Sequence, residues 1–242
     1  EIAAVMAEAA QMPPVGPREK ARVAFVLDYP SRWATITLPQ GQSYRARQVA
    51  LDWYAAVRRL GVDLDVIGQH SDLSGYDLVL APDLVIPDPD FVARLKTGSA
   101  KVLFGPRSGS KTADMQTPAA LAPGLLAGLL DMRVTRVESL PDYRSETMKM
   151  GNQTLTAGRW RETVETREPV LAEFAGDYRD GAPALVGNGH ARYLATLPDP
   201  DALREIMADT LDWAGVAHLP DLGDLRLTRR GGLTFAFNYG TA

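Results

Sequence analysis

Lys101–Thr112 reads KVLFGPRSGSKT. Three apolar residues, Val102–Phe104, run into Gly105-Pro106, and a polar loop of Arg, Ser, Gly and Lys follows. A short apolar run cut off by Gly-Pro reads as a buried strand that delivers a loop at its carboxyl end. At first sight the loop is a phosphate cradle of the G-x-x-x-x-G-K-[ST] type. That pattern needs glycine where this chain has Ser110, so that backbone amides can close around the anion. It also needs a helix directly after the loop, its N-terminus facing the phosphate. Ala113–Pro118 has no amphipathic period and contains Pro118. The stretch reads instead as a strand-end loop, with Arg107 rather than Lys111 as its residue of interest. Nucleotide or small-molecule binding at Gly105–Thr112 remains the alternative.

Towards the N-terminus, Ala21–Leu27 (ARVAFVL) is a further apolar run, and Val62–Ile67 and Asp77–Ala81 (DLVLA) read as a second and a third strand. Two amphipathic segments alternate with them. In Tyr44–Leu60, residues Val49, Trp53, Ala56, Val57 and Leu60 share a helical face that Gly61 ends. Pro87–Thr97 opens on Pro and Asp, as helices do, and stops at Gly98. Strand–helix–strand–strand–helix–strand with buried runs predicts an α/β protein built on a doubly wound, mainly parallel sheet. Loops at the carboxyl ends of such strands line the crevice of the fold. Here they hold Asp28–Trp33, Pro82–Pro87 and Gly105–Lys111. Tyr29–Gln42 reads as a loop, with Trp33 exposed in it. That Trp either packs beneath the loop or offers an interface or sugar-stacking surface.

Beyond Thr112 the pattern changes. Leu121–Leu130 reads as a short apolar helix. Val134–Val137, Gln153–Ala157, Val170–Phe174, Ala184–Val186 and Arg192–Thr196 read as short strands, and Asp199–Ala214 as a helix ended by Gly215. Residues 225–239 alternate about Arg230-Gly231-Gly232, a hairpin signal. At the other end, Ile2–Met12 carries one apolar face and stops at Pro13-Pro14, and Pro13–Lys20 reads as a linker. A helix this short needs something to pack on. The chain starts in mid-helix without Met, and is expected to be a piece of something longer.

The composition excludes several classes of chemistry. The 242 residues contain no Cys, so disulfides, thiolate–metal sites and Cys nucleophiles are absent. His70, His190 and His218 form no ligand-spaced pair. A net charge of −4 gives no reason to expect nucleic acid or an acidic membrane. No apolar run approaches the roughly 18 residues of a membrane span, and the N-terminus lacks the basic region of a signal peptide. No cofactor or metal is expected, and the expected location is cytoplasmic. No G-x-S-x-G nucleophile elbow is present. Glu162, Glu165 and Glu168, in RETVETRE, read as a solvated, charge-balanced edge. Asp28, at a strand end, is the better placed acid, though it can simply cap the next turn. The residues taken alone favour binding or assembly over catalysis.

Several stretches together resemble the middle region of family-42 β-galactosidases. They are ARVAFVLDYPSRWA, YRARQVALDWYAAVRRLGVDLDVI, DLSGYDLVLAP, KVLFGPRSGSK, GNGHARYLAT and LRLTRRGGLTFAFNYG, in the family's order across about residues 20–242. The resemblance implies a flavodoxin-like sandwich, similar to class I amidotransferases without their nucleophile. It implies a trimerisation domain over 21–218, the end of a barrel helix and linker over 1–20, and the start of a C-terminal β-domain over 219–242. It departs from the family where an aromatic often precedes Trp33, since Arg32 stands there, and where Pro30 replaces a more usual polar residue. The family's retaining mechanism uses two Glu residues on the strands of a (β/α)8 barrel. A barrel needs about 200 residues or more with eight βα units, and this chain holds about four or five. The catalytic pair is therefore expected outside these residues, and no activity from this chain alone. The implied partners are the chain's own catalytic barrel and neighbouring subunits of a homotrimer, with galactoside touched only indirectly. Asp28, Trp33 and Arg107 are the candidate subunit-interface or active-site-rim residues, Trp33 and Arg107 being expected at the ends of adjacent strands.

Overall fold

The computed structural model describes residues 2–11, 16, 19–176 and 180–240. Its first half is the expected alternation with one helix, α2 (Tyr29–Thr37), added. β1 (Val23–Val26), β2 (Leu64–Ile67), β3 (Leu78–Ala81) and β4 (Lys101–Phe104) are interleaved with α2 (Tyr29–Thr37), α3 (Ala46–Arg59) and α4 (Pro89–Thr97). A helix α1 (Ile2–Gln11) precedes them and buries none of its residues. The linker expected over Pro13–Lys20 lies largely outside the described residues.

The second half is richer in strands than the sequence suggests. It holds β5 (Met132–Ser139), β6 (Ser145–Met150), β7 (Gln153–Thr166), β8 (Val170–Ala175), β9 (Pro183–Gly187), β10 (Ala191–Leu194) and β11 (Thr196–Pro198). Helix α5 (Pro200–Ala214) and the hairpin β12 (Leu225–Arg230) and β13 (Leu233–Asn238) follow. Among the described residues, β1 to β11 form one sheet in the order β11-β7-β6-β8-β9-β10-β4-β3-β1-β2, with β5 paired to β7. The segment β10-β4-β3-β1-β2 is parallel, and from β9 outward the pairing is antiparallel.

Strand alternation divides the core into two layers. Val23, Phe25, Leu78, Leu80 and Leu103 face Trp53 and Val57 of α3 and Ile206 and Leu211 of α5. Ala24, Val26, Val79, Val102 and Phe104 face Phe91 and Leu95 of α4. Because the central strands β1 and β3 are buried along their whole length on both faces, their sequences read as continuous apolar runs rather than as alternation.

Three helices share one start signal. Asp88 accepts from the Phe91 amide ahead of Pro89, and Asp199 accepts from the Ala202 amide ahead of Pro200. Asp28 accepts from the Ser31 amide at 2.8 Å, with Pro30 in the first turn. The aspartate satisfies an orphan N–H, and the proline needs no N–H partner there. Tyr29–Thr37 is thus a helix, not the loop expected, and the Asp-x-Pro signal at Asp28 was present in the sequence. Leu121–Leu130 errs the other way. Only a 3-10 turn, Gly124–Gly128, forms there, because Pro123, Gly124 and Gly128 all oppose an α-helix.

Gly109, in the strand-end loop, has φ +70, and a Cβ there would overlap the carbonyl oxygen of Pro123. The contact is backbone, so no side chain can swing aside. Gly109→Ala should therefore destabilise the fold by about 3 kcal/mol, left-handed strain plus overpacking, as measured by chemical denaturation. A loss under about 1 kcal/mol would mean the loop simply shifts. In the terminal hairpin Gly231 (φ 53) and Gly232 (φ 78) form the turn between Arg230 and Leu233, the two left-handed positions a two-residue hairpin demands. The hairpin is tied to the end of α3: Arg58 donates to Leu227 O, and Asp63 accepts from Thr228 Oγ1 at 2.9 Å.

Candidate subunit-contact site

The carboxyl ends of β1, β3 and β4 carry Asp28, Asp83 and the Gly105–Thr112 loop. β3 lies between β1 and β4, so Trp33 and Arg107 do not follow adjacent strands as expected. They are joined instead by α2, which leaves β1 and ends beside Arg107.

The loop's amides account for the fate of the phosphate-cradle idea. Gly105 N donates to Ala81 O, Ser108 N to Gly105 O, Gly109 N to Leu84 O and Ser110 N to Arg107 O. Lys111 N donates to Val85 O and Thr112 N to Gln116 O. The Arg107 amide donates to Glu162 Oε1 at 2.8 Å, and Pro106 has no N–H. No N–H from Gly105 to Thr112 is left to face an anion, which is what a cradle consists of. Lys111 Nζ reaches Thr117 Oγ1 at 3.4 Å.

Arg107 is buried and has a left-handed backbone, φ 67. Its guanidinium donates to Leu38 O at 2.8 Å and to Pro39 O at 3.1 Å. It lies 4.8 Å from the ring centroid of Tyr44 and 5.4 Å from that of Trp160. Burial pulls its pKa below the ordinary guanidinium value, opposed by Tyr44 and Glu162. A cation at the carbonyl end of α2 complements the helix dipole, and the planar fork suits two carbonyls and two aromatic faces at once.

Beneath Arg107 sits Glu162, which the sequence places on a solvated edge. It is 2% exposed. Oε1 accepts from the Arg107 amide and from Trp160 Nε1 at 3.1 Å, and Oε2 accepts from Tyr193 Oη at 2.6 Å. Burial raises its pKa, against these three hydrogen bonds and the nearby guanidinium. Tyr193 and Tyr44 are likewise raised well above the usual phenol value, chiefly by burial. Two neighbouring acids in RETVETRE behave differently: Glu165 is exposed and pairs with Arg133, while Glu168 accepts from the Asp131 amide at 2.7 Å. The one local hint for Glu162 was its place two residues after Trp160 and two before Val164, in register with an inward face.

Above Arg107, α2 is inverted relative to an ordinary surface helix. Its buried residues are Ser31, Ala34 and Thr35, whereas Tyr29, Trp33 and Ile36 are 61%, 63% and 64% exposed. Spacing i, i+4, i+7 puts the three on one face, and the rings of Tyr29 and Trp33 lie 6.1 Å apart. Polar bonds hold the helix where apolar burial does not. They are the Asp28 cap, the Ile86 amide donating to Ser31 Oγ at 2.9 Å, and the Arg107 fork. The result is an aromatic stripe presented to solvent on polar supports, a surface that nothing among the described residues covers.

The model of the β-galactosidase trimerisation domain matches residues 21–217. This chain belongs to that family. A trimerisation domain of this kind is consistent with the outward face of α2. The chain is 40% identical to β-galactosidase BgaA of Thermus sp over 232 residues, covering 95% of this chain and 34% of that protein. It is 38% identical to the β-galactosidase of Thermus thermophilus over 229 residues, with 34% of that protein covered. In three dimensions it matches the β-galactosidase of the haloarchaeon Halorubrum lacusprofundi at a TM-score of 0.87 and 33% identity, covering 96% of this chain and 36% of that one. The β-galactosidase of Marinomonas ef1 gives a TM-score of 0.86 at 31% identity, with 98% and 36% covered. The chain thus spans about a third of the length of the relatives it matches. Among the described residues no helix is long and apolar enough to cross a membrane, and no three His, Asp or Glu side chains gather as a metal site.

Proposed function

We propose that this chain is the non-catalytic assembly module of a homotrimeric, cytoplasmic β-galactosidase, and that α2 makes its contact with a neighbouring subunit. Trp33 supplies the contact, while Asp28 and Arg107 hold the two ends of the helix that carries it. The parent hydrolyses terminal β-D-galactosides with retention, using a Glu pair outside these residues. Residues 1–20 are the end of a barrel helix and a linker, 21–218 the trimerisation domain and 219–242 the start of a C-terminal β-domain. The observation that carries the reading is the exposed Tyr29–Trp33–Ile36 stripe on a helix whose buried side is Ser, Ala and Thr. Three-fold closure uses heterologous contacts, so this stripe meets a different surface of the next subunit, where it borders that subunit's sugar site.

Trp33→Ala in the whole protein should weaken association about 30-fold, the cost of removing one aromatic anchor, roughly 2 kcal/mol. Sedimentation velocity across a dilution series measures it. Unchanged association would remove α2 from the interface.

A further inference from the structure

We propose that Arg107, seated on Glu162, is the positioning residue that sets the pose of the α2 contact face. The inference rests on the reading of α2 as a subunit contact. No large apolar side chain of α2 is buried to fix its rotation or its height above the sheet, because Ser31, Ala34 and Thr35 form its underside. The N-terminal end is set by Asp28 and by the Ser31–Ile86 bond. The C-terminal end is set by Arg107, whose fork takes both Leu38 O and Pro39 O.

Arg107 is itself fixed from below. Its backbone amide is held by Glu162, and its guanidinium rests beside the edge-to-face pair of Tyr44 and Trp160. Glu162 in turn is held by Tyr193 on β10. Tyr44 Oη reaches Pro106 O at 3.5 Å. A chain of polar contacts therefore runs from the middle of the sheet to the end of an exposed helix. Interface energy falls steeply when an anchor loses its preorganised pose, so a residue that touches no partner controls the contact. Lysine offers one point charge on a flexible stem and cannot hold two carbonyls in a plane.

The test is Arg107→Lys, Trp33→Ala and the double variant, in the whole protein. Association is followed by sedimentation, and amide hydrogen exchange is followed in α2 relative to β1 and β3. The expected result for Arg107→Lys is exchange in α2 faster by tenfold or more, with β1 and β3 unchanged, and association weakened about tenfold. Adding Trp33→Ala to Arg107→Lys should then cost far less than Trp33→Ala alone, since the anchor is already misplaced. Three results overturn the proposal. In one, exchange rises equally in α2 and the sheet, which marks Arg107 as a general stabiliser. In another, the two substitutions weaken association additively, which separates Arg107 from the Trp33 contact. In the third, Trp33→Ala alone leaves association untouched, which removes the contact itself rather than the clamp.

Discussion

Glu162→Ala lowers the stability of the chain by about 4 kcal/mol and its melting temperature by roughly 10 °C. Three buried donors lose their acceptor at once: Tyr193 Oη, Trp160 Nε1 and the Arg107 amide. Each orphaned donor costs about 1–3 kcal/mol. Part of that is returned because the variant no longer buries a carboxyl, whose raised pKa reports the burial cost. Removing one member of a buried network is worse than never having built it, so the sum stays strongly unfavourable. Glu162→Gln keeps the shape and one carbonyl oxygen, and the Tyr193 hydroxyl can turn to accept from the new amide, so its cost is about 1–2 kcal/mol. Circular dichroism melts of the two variants measure the pair of effects. A fall of less than about 3 °C for Glu162→Ala would show that water replaces the carboxylate without penalty.

Asp83→Asn makes stability less dependent on pH, and by a large margin. The Asp83 carboxyl, at the end of β3, has its pKa raised from 3.8 to about 7. Burial is the main cause and Asp28 adds to it, while Arg107 and Arg32 oppose it. Between pH 4 and 7 the folded chain holds a proton that the unfolded chain releases. Stability must then fall as pH rises through that window. The contribution is complete below about pH 4, is lost progressively, and levels off above about 7. At about 1.4 kcal/mol per unit the whole window spans up to about 4 kcal/mol. Asp221 works in the opposite sense and in another window. Arg59 holds its pKa at about 2, so its contribution is lost only as pH falls below 4. Urea titrations of both forms at pH 4.5, 6 and 8 separate these effects. Asp83→Asn should match the parent at low pH and exceed it by several kcal/mol at pH 8. A difference that stays constant with pH would place the Asp83 carboxyl in water.

The legible parts of the fold are those with local causes. Apolar runs marked β1, β3 and β4 because parallel strands are covered on both faces. The 3.6-residue spacing of Val49, Trp53, Ala56 and Val57 marked α3, and Arg230-Gly231-Gly232 marked the hairpin. The end of β7 was missed because RETVET carries charge at positions that turn inward. Arg161 is buried against Glu138 and Glu146, and Glu162 against Tyr193 and Arg107. Those partners lie 15 to 55 positions away in the chain, where no local pattern can report them. Helix α2 was missed for a different reason. Its Asp28 cap and Pro30 were in view, but its apolar residues face outward, so the period pointed away from a core and read as no helix.

The sequence by itself determined the α/β class and the strand-end placement of Asp28 and the Gly105–Thr112 loop, and it spoke against a phosphate cradle there while leaving small-molecule binding open. Each follows from backbone preference and hydrophobic period, which act between near neighbours. Only the tertiary structure decided that Arg107 is a buried clamp, that Glu162 is its seat, and that Trp33 stands on a helix turned towards solvent. Those facts depend on which groups lose water together, and chain packing over long separations sets that.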